Sequence, residues 1–305
     1  MKATSRRKFL STSALSLAGA ASFLPELSNS ALAQKKPLFR ISLAQWTLVK
    51  EFKSGKLDNL QFAEVAAKHG IEGLEYVNQF FMDKANDQSY LGQMKKRAAD
   101  QGVESVLIMC DREGNLGDSD AVKRKKTVDN HRKWIDAAKF LGCHSIRVNA
   151  RSKGSWDEQV ALAADGLAQL TDIAAKSDMN VIVENHGGLS SNGKWLLEVI
   201  KTVKHDRCGT LPDFGNFKIS DTESYDAYKG VEQLMPYAKG VSVKDTVWTP
   251  EIKQIPLDFE RMLSIVLKAG YRGFCGIEFG GYQGLNQSRE ALEKARTALD
   301  AKFKA

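Results

Sequence analysis

Cysteine is scarce in this sequence, and no two cysteines stand close together. Cys110, Cys143, Cys208 and Cys275 are separated by at least 33 residues. Zinc knuckles and dithiol redox motifs need cysteines at close spacing, so the sequence excludes both kinds of site. We expect four buried thiols, of which only Cys110 stands at a predicted strand end where it could line a site.

The sequence also lacks a glycine-rich phosphate loop. Gln45-Trp46-Thr47 follows the first predicted strand, where a dinucleotide or Walker fold would place its glycines. This excludes nucleotide cofactors of the common kinds. No low-complexity linker and no heptad run follows Gln34, so one compact domain over residues 34–305 is the simplest interpretation.

The N-terminal segment has the pattern of an export signal. Residues 5–10, Ser-Arg-Arg-Lys-Phe-Leu, precede an apolar stretch that ends near Leu24 and is too short to span a bilayer. This pattern, together with the Ala-Leu-Ala of residues 31–33, predicts a twin-arginine signal peptide over residues 1–33. The mature chain would then be periplasmic and have no stable membrane anchor. The alternative is a basic N-terminus followed by a buried helix.

The positive charge lies partly in that segment. The whole chain has a net charge of +7, and removal of residues 1–33 leaves 40 basic and 36 acidic residues, a net charge of +4. The densest basic cluster, residues 123–126, is more typical of a solvated helix face than of a binding patch. We therefore expect no nucleic-acid partner.

Eight short apolar runs, each closed by polar residues or glycine, predict β-strands. Between them lie segments of helical periodicity, such as Val160, Ala163, Leu167 and Leu170. Eight alternating strand and helix units in about 270 residues favour an α/β fold of the (β/α)8 TIM barrel type over an open sheet. The predicted strands cover residues 39–44, 73–76, 105–109, 145–148, 181–183, 209–211, 240–243 and 273–277.

Three acidic residues stand at the ends of predicted strands, where parallel sheets form their sites. Glu184 follows Val-Ile-Val, Asp213 follows Leu-Pro, Glu278 follows Gly-Ile, and a glycine comes within three residues of each. Carboxylates gathered within a few ångströms need a cation or strong donors. A metal ion or Lys244 could provide the charge, with Arg147 as a further donor. Such a site suits proton removal next to a carbonyl, whereas the alternative is a set of solvated or helix-capping acids.

Four motifs, taken in their order along the chain, resemble those of one protein family. They are Val-Glu-Asn-His after the fifth strand, Asp-Phe-Gly-Asn after the sixth, Val-Ser-Val-Lys-Asp at the seventh and Gly-Ile-Glu at the eighth. On these motifs the mature chain resembles the sugar phosphate isomerase/epimerase family, the xylose isomerase-like TIM barrels that include endonuclease IV and the ketose 3-epimerases.

The resemblance implies a divalent metal held by Glu184, Asp213 and Glu278, with Glu184 and Glu278 as the acid/base pair on either side of the substrate carbon. The chain departs from the family at Ser242, where the usual motif has a histidine ligand, and at Asn216, where a histidine is common. Because the remaining ligands are oxygens, we expect Mn²⁺ or Mg²⁺ rather than Zn²⁺.

Further polar residues lie on or after the same strands. Lys244 could anchor an oxyanion or act as an acid, which makes it the third predicted catalytic residue beside Glu184 and Glu278. Alternatives remain for several others: Trp46 could be a core aromatic and Arg147 could pair with Glu75. The predicted substrate-binding residues are His186, Asn216, Arg147, Asn149, Trp46 and Glu75, with Gln45 as a further candidate.

The sequence thus predicts an exported, metal-assisted isomerase or epimerase, or a related lyase. Its expected substrate is a non-phosphorylated sugar or keto-sugar, because phosphorylated metabolites are scarce outside the cytoplasm. The alternative is a non-catalytic periplasmic sugar-binding barrel. An endonuclease IV-type site would need several histidines at strand ends, and this chain offers only His186. The resemblance also makes a homo-oligomer unsurprising.

Overall fold

The structure is a computed structural model that describes residues 36–303. The predicted signal peptide, residues 1–33, lies outside the described residues, so export and signal cleavage stay predictions, as does a homo-oligomer. Among residues 36–303, none of the helices combines the length and the apolar character that crossing a membrane requires.

Strands and helices alternate along the described part of the chain. The strands are β1 Arg40–Ala44, β2 Gly73–Val77, β3 Glu104–Met109, β4 Ser145–Val148, β5 Asn180–Glu184, β6 Cys208–Leu211, β7 Val241–Val243, β8 Thr246–Trp248, β9 Gln254–Pro256 and β10 Phe274–Ile277. The α-helices are α1 Val49–Lys53, α2 Phe62–Lys68, α3 Gln88–Asp100, α4 Ala121–Leu141, α5 Trp156–Ala175, α6 Gly193–Val203, α7 Ala227–Leu234, α8 Phe259–Lys268 and α9 Gly281–Phe303. Short 3-10 helices cover Gln45–Leu48, Asn78–Phe80, Met82–Lys84, Gly188–Ser191 and Met235–Tyr237.

Eight parallel strands form a nearly closed barrel, which confirms the predicted fold class. Their order is β6-β5-β4-β3-β2-β1-β10-β7. Between β6 and β7 the contact continues through isolated parallel bridges, Thr210 with Ala238 and Asp213 with Ser242. All eight predicted strands are present, and each strand end differs from the prediction by at most one residue. The carboxyl ends of the eight strands therefore share one rim.

The antiparallel hairpin of β8 and β9 was not predicted. It lies between β7 and α8, and its strands pair in the register Thr246 with Pro256 to Trp248 with Gln254. The backbone N–H of Leu257 donates to the carbonyl of Asp245, 2.7 Å away, which ties the hairpin base to the end of β7. This hairpin follows Lys244 directly.

The core has two parts. A large cluster packs the helices against the outside of the barrel, and a smaller one lies within the barrel. All four cysteines are buried and free, as expected from the sequence. The smaller cluster consists of Ala44, Val77, Val106, Leu107, Met109, Ile182, Leu211 and Phe274.

Two helical glycines predict opposite effects of the same substitution. A Cβ on Gly166 in α5 would stand 1.9 Å from the carbonyl oxygen of Leu116, whereas one on Gly92 in α3 meets nothing within 4 Å. We expect Gly166→Ala to lower the free energy of unfolding by about 1–3 kcal/mol through overpacking. Gly92→Ala should raise it by about 0.5–1 kcal/mol, because alanine has the higher helix propensity.

Urea denaturation followed by circular dichroism measures both changes. Gly92→Ala is the matched control for Gly166→Ala, since both replace a glycine within an α-helix by the same residue. An unchanged stability of Gly166→Ala would contradict the close approach of α5 to the segment before α4.

Candidate active site

Four charged residues converge on the rim at the carboxyl ends of the strands. Glu184 is the last residue of β5, Asp213 follows β6 by two residues, and Lys244 and Glu278 directly follow β7 and β10. Because neighbouring parallel strands end at the same level, side chains from chain positions far apart meet here. The predicted convergence of the three acids is thus present.

The three carboxylates form one buried cluster. Glu184 and Asp213 are fully buried and Glu278 is 6% exposed. One oxygen from each lies within 4.8 Å of the others, so the cluster could hold a metal ion. Ser242 lies 2.9 Å through its hydroxyl oxygen from Asp213 Oδ2 and 2.7 Å from Glu278 Oε2. Its single proton can be donated to only one of them at a time.

Two cations neutralise the cluster from opposite sides. Lys244 Nζ lies 3.1 Å from both Asp213 Oδ2 and Glu278 Oε2 and donates to the Glu278 carbonyl at 2.8 Å. On the other side, Arg147 Nε lies 2.8 Å from Glu184 Oε2. Buried charges of one sign are tolerated only with such partners. Arg147 therefore pairs with Glu184 rather than with Glu75, the alternative that the sequence left open.

The loop after β6 fixes Asp213 rigidly. Its Oδ1 accepts hydrogen bonds from the backbone N–H groups of Gly215 and Asn216, both at 2.8 Å. Asn185 clamps the backbone of the loop by accepting from the Asp213 N–H and donating to the Asp213 carbonyl. The Asn216 side chain donates to Glu184 Oε1 at 2.9 Å. Asn216, predicted to bind substrate, thus orients a member of the acidic cluster.

Burial and neighbouring charges shift the pKa values of Glu184 and Glu278 in opposite directions. Burial raises the pKa of Glu184 to about 8, an effect that Arg147 opposes and the neighbouring carboxylates reinforce. Burial would also raise the pKa of Glu278, but Lys244 and Arg147, together with the Ser242 hydroxyl, outweigh it and hold this pKa below its ordinary value. Of the two, Glu184 is therefore the group that more readily carries a proton, and Glu278 is the ionised one.

A cavity of about 510 Å³ opens above the cluster. Glu278 is the member of the acidic cluster that lines it, and Cys110 lines it as the sequence suggested. The wall is polar and has three arginines. The lining residues are Trp46, Gln79, Cys110, Asp111, Arg112, Gly114, Asn115, His131, Arg147, Asn149, Arg151, His186 and Glu278.

Four of the predicted substrate-binding residues line this cavity, namely Trp46, Arg147, Asn149 and His186. Two of them present buried polar atoms, His186 Nδ1 and Asn149 Oδ1, that have no hydrogen-bond partner among residues 36–303. Buried orphan atoms of this kind are unfavourable unless a ligand or water satisfies them. Their place in the wall marks where polar groups of a ligand would bind.

Gln45 and Glu75, which the sequence also suggested as substrate-binding residues, do not line the cavity. Gln45 is fully buried, where it donates to Asn59 Oδ1 and accepts from the backbone N–H of Val77, so the expected sugar contact is wrong for this residue. Glu75 is 1% exposed and does not line the cavity. Its Oε1 accepts a 2.6 Å hydrogen bond from Ser42.

Sequence reasoning missed Asp111, which follows β3 by two residues. Its Oδ1 accepts from Arg147 at 3.0 Å and from Asn149 at 2.8 Å, and it holds both side chains in the cavity wall. The strand-end rule that identified the three acids would have found Asp111 too. Arg112 and Arg151 also line the cavity, and they stand in loops for which the sequence carried no signal.

A family model described as xylose isomerase-like TIM barrel matches residues 63–301. The chain belongs to this family. Among curated proteins, none matches the chain.

Solved structures share the fold at low sequence identity. The 3-keto-D-glucoside 4-epimerase from E. coli has a TM-score of 0.64 and 15% identity, over 85% of this chain and 99% of its own. A xylose isomerase-like TIM barrel protein from Mycobacterium smegmatis, in complex with magnesium, has a TM-score of 0.66 and 16% identity, over 87% and 98%. D-Psicose 3-epimerase with D-tagatose, from Clostridium cellulolyticum H10, has a TM-score of 0.62 and 14% identity, over 86% and 97%.

The burial of Glu75 predicts a pH-dependent stability. Burial raises the pKa of Glu75 to about 7, although the Ser42 hydrogen bond opposes this. Because the folded-state pKa lies above the unfolded one, the stabilisation is complete below about pH 4.5 and is lost as the pH rises through 7. A shift of this size corresponds to about 3 kcal/mol. We expect Glu75→Gln, which keeps the acceptor for Ser42, to be less sensitive to pH than the wild type.

Urea denaturation at pH 5 and pH 8.5 compares the two proteins. Glu64→Gln, at an exposed position of α2, controls for the loss of one carboxylate. If wild type and Glu75→Gln lost equal stability between these pH values, Glu75 would not be the titrating group.

Proposed function

We propose that this protein is an isomerase or epimerase that moves a proton next to the carbonyl of a non-phosphorylated sugar or keto-sugar. The observation that carries the proposal is the place of Glu278. Its carboxylate is ionised, faces a polar cavity, and has Lys244 and Arg147 beside it. A base next to fixed donors is what proton removal from a carbon acid requires.

In the proposed reaction, Glu278 takes the proton from the carbon next to the carbonyl, and the electron pair moves to the carbonyl oxygen. Arg147, in the cavity wall, and Lys244, bonded to Glu278, provide N–H donors for the negative charge that develops. Glu184, the carboxyl group with the raised pKa, returns a proton. Two carboxyls with pKa values pushed apart suit this division of roles. Return to the other face of the same carbon gives an epimer. Return to the former carbonyl carbon, while the hydroxyl group on the first carbon passes its proton to the former carbonyl oxygen, gives an isomer.

A divalent metal would be held by the oxygens of Glu184, Asp213 and Glu278. The donor set fits a hard ion, Mn²⁺ or Mg²⁺, better than Zn²⁺, because no imidazole or thiolate joins the acidic cluster that residues 36–303 form. Solved structures of this fold include one in complex with magnesium and one with a bound zinc atom, so the choice of ion rests on the donor set. Bound there, the ion would polarise a carbonyl or hydroxyl oxygen of the substrate.

The cavity wall fits a small polyol. Trp46 offers an apolar face for a sugar ring, and His186 and Asn149 offer the orphan atoms that hydroxyl groups would satisfy. The similarity to an epimerase of a keto-glucoside and to one with D-tagatose supports a sugar or keto-sugar as the substrate class.

Proton exchange in D₂O tests the reaction. We expect the wild type, with Mn²⁺ or Mg²⁺ supplied, to exchange the proton next to the carbonyl of a keto-sugar for deuterium, seen as loss of its ¹H NMR signal. Glu278→Gln and Glu184→Gln should lower the exchange rate by about 10²–10⁴-fold, because each removes a group that transfers a proton. Glu64→Gln, far from the cavity, should exchange like the wild type.

The alternative function, a non-catalytic sugar-binding barrel, predicts a different result. Keto-sugars would then bind, measured by calorimetry, while no exchange occurs in the wild type with any metal. Equal exchange by the wild type and both glutamine variants would instead remove Glu278 and Glu184 from the reaction.

We also propose export through the twin-arginine route, supported by the paired arginines and the Ala-Leu-Ala of residues 31–33. Expression in a bacterium with a periplasm, followed by mass spectrometry of the periplasmic fraction, should give a chain that begins at Gln34. The double substitution Arg6→Lys and Arg7→Lys should retain the uncleaved chain in the cytoplasm. Equal export of both forms would overturn the proposal.

A further inference from the structure

Lys244 occupies the position at the acidic cluster that a cation would need. Its Nζ touches Asp213 Oδ2 and Glu278 Oε2 at the same distance, 3.1 Å, and its side chain is 17% exposed. The third contact, to the Glu278 carbonyl at 2.8 Å, uses another of the three ammonium protons. Lys244 thus bridges two carboxylates of the cluster from within the protein.

Gly215 leaves room for the side chain of Lys244. A Cβ on Gly215 would lie 2.7 Å from Lys244 Cγ and 3.0 Å from Lys244 Cβ. Real Cβ atoms do not approach other atoms this closely without a shift. The glycine in the loop after β6 therefore lets the aliphatic part of Lys244 pass over the backbone and carry the ammonium into the cluster.

A divalent ion held by the cluster would compete for at least one of these oxygens, because Asp213 Oδ1 already accepts two backbone hydrogen bonds and leaves Oδ2. Mg²⁺ binds oxygen ligands at about 2.1 Å, so an ion held by Asp213 Oδ2 and Glu278 Oε2 would either take the space of Nζ or stand directly beside it. Two positive charges at such close range repel strongly where water is excluded. An ion and the ammonium group on the same two oxygens would therefore oppose each other's binding.

We propose that Lys244 and a divalent metal compete for Asp213 Oδ2 and Glu278 Oε2, and that Lys244 thereby sets the metal affinity of the site. The inference rests on the metal site of the proposed function. Without metal, the ammonium group of Lys244 balances negative charge on Asp213 and Glu278. Metal binding requires Lys244 to leave these oxygens, which weakens binding.

Titration of Mn²⁺ into metal-free protein, with free Mn²⁺ measured by electron paramagnetic resonance, tests this competition without an activity assay. We expect Lys244→Met to bind Mn²⁺ at least tenfold more tightly than the wild type, because the competing charge is gone. Lys244→Gln, which retains a hydrogen-bond donor, should also bind more tightly and provides a second neutral variant should the methionine variant fail to fold.

Two matched controls separate the local charge from other effects. Lys244→Arg keeps the positive charge and should not gain affinity. Lys218→Met removes a lysine that pairs with Asp221 at the surface, so it changes the net charge equally and should bind Mn²⁺ like the wild type.

Equal or weaker Mn²⁺ binding by both neutral variants would overturn the competition, and so would absence of binding in every variant. Absence of binding in every variant would also remove the metal site of the proposed function, whereas proton exchange in D₂O tests the proposed proton transfer separately. If Lys218→Met gained as much affinity as Lys244→Met, the effect would be one of net charge and the specific role of Lys244 would be refuted.

Discussion

The site depends on one constraint: nearby cations must balance the negative charge of three buried carboxylates. Around the rim of the barrel, Arg147 from β4 precedes Glu184 and Asp213, and Lys244 from β7 stands between Asp213 and Glu278. Each carboxylate therefore has a cation within contact distance. Removal of either cation would leave a buried charge without a partner, which is far more unfavourable than the loss of an exposed pair. The same pairs direct the ionised carboxylate of Glu278 towards the cavity.

Polar contacts at several depths support this rim. Deep in the barrel, Glu75 bonds Ser42, and Gly276 leaves the space for it, since a Cβ there would lie 2.2 Å from Glu75 Oε1. Above the cluster, Asp111 fixes Arg147 and Asn149 in the cavity wall. Charged and polar side chains thus extend from the barrel interior to the mouth. Such outer partners position catalytic groups in barrels and in other sites.

The scaffold and the substrate pocket are separable. The barrel is shared with epimerases at 14–15% identity, which shows how much sequence change the strand and helix pattern tolerates. By contrast, Arg112, Asn115 and Arg151 line the cavity from loops. Because loops vary without disturbing the barrel, the cavity wall can change while the acidic cluster at the strand ends is kept.

Local patterns in the sequence determined the eight barrel strands, their parallel order and the strand-end positions of Glu184, Asp213 and Glu278, because hydrophobic periodicity and glycine placement are read over a few residues. Tertiary structure decided the rest. Asn216 bonds Glu184, Gln45 turns inward, Glu75 lies below the cavity, and the hairpin of β8 and β9 follows β7. The Asn216 and Gln45 contacts each join residues 32 positions apart in the chain. Residues that are distant in the chain thus decide which partner a polar side chain binds. A pattern over a few neighbouring residues does not contain that information.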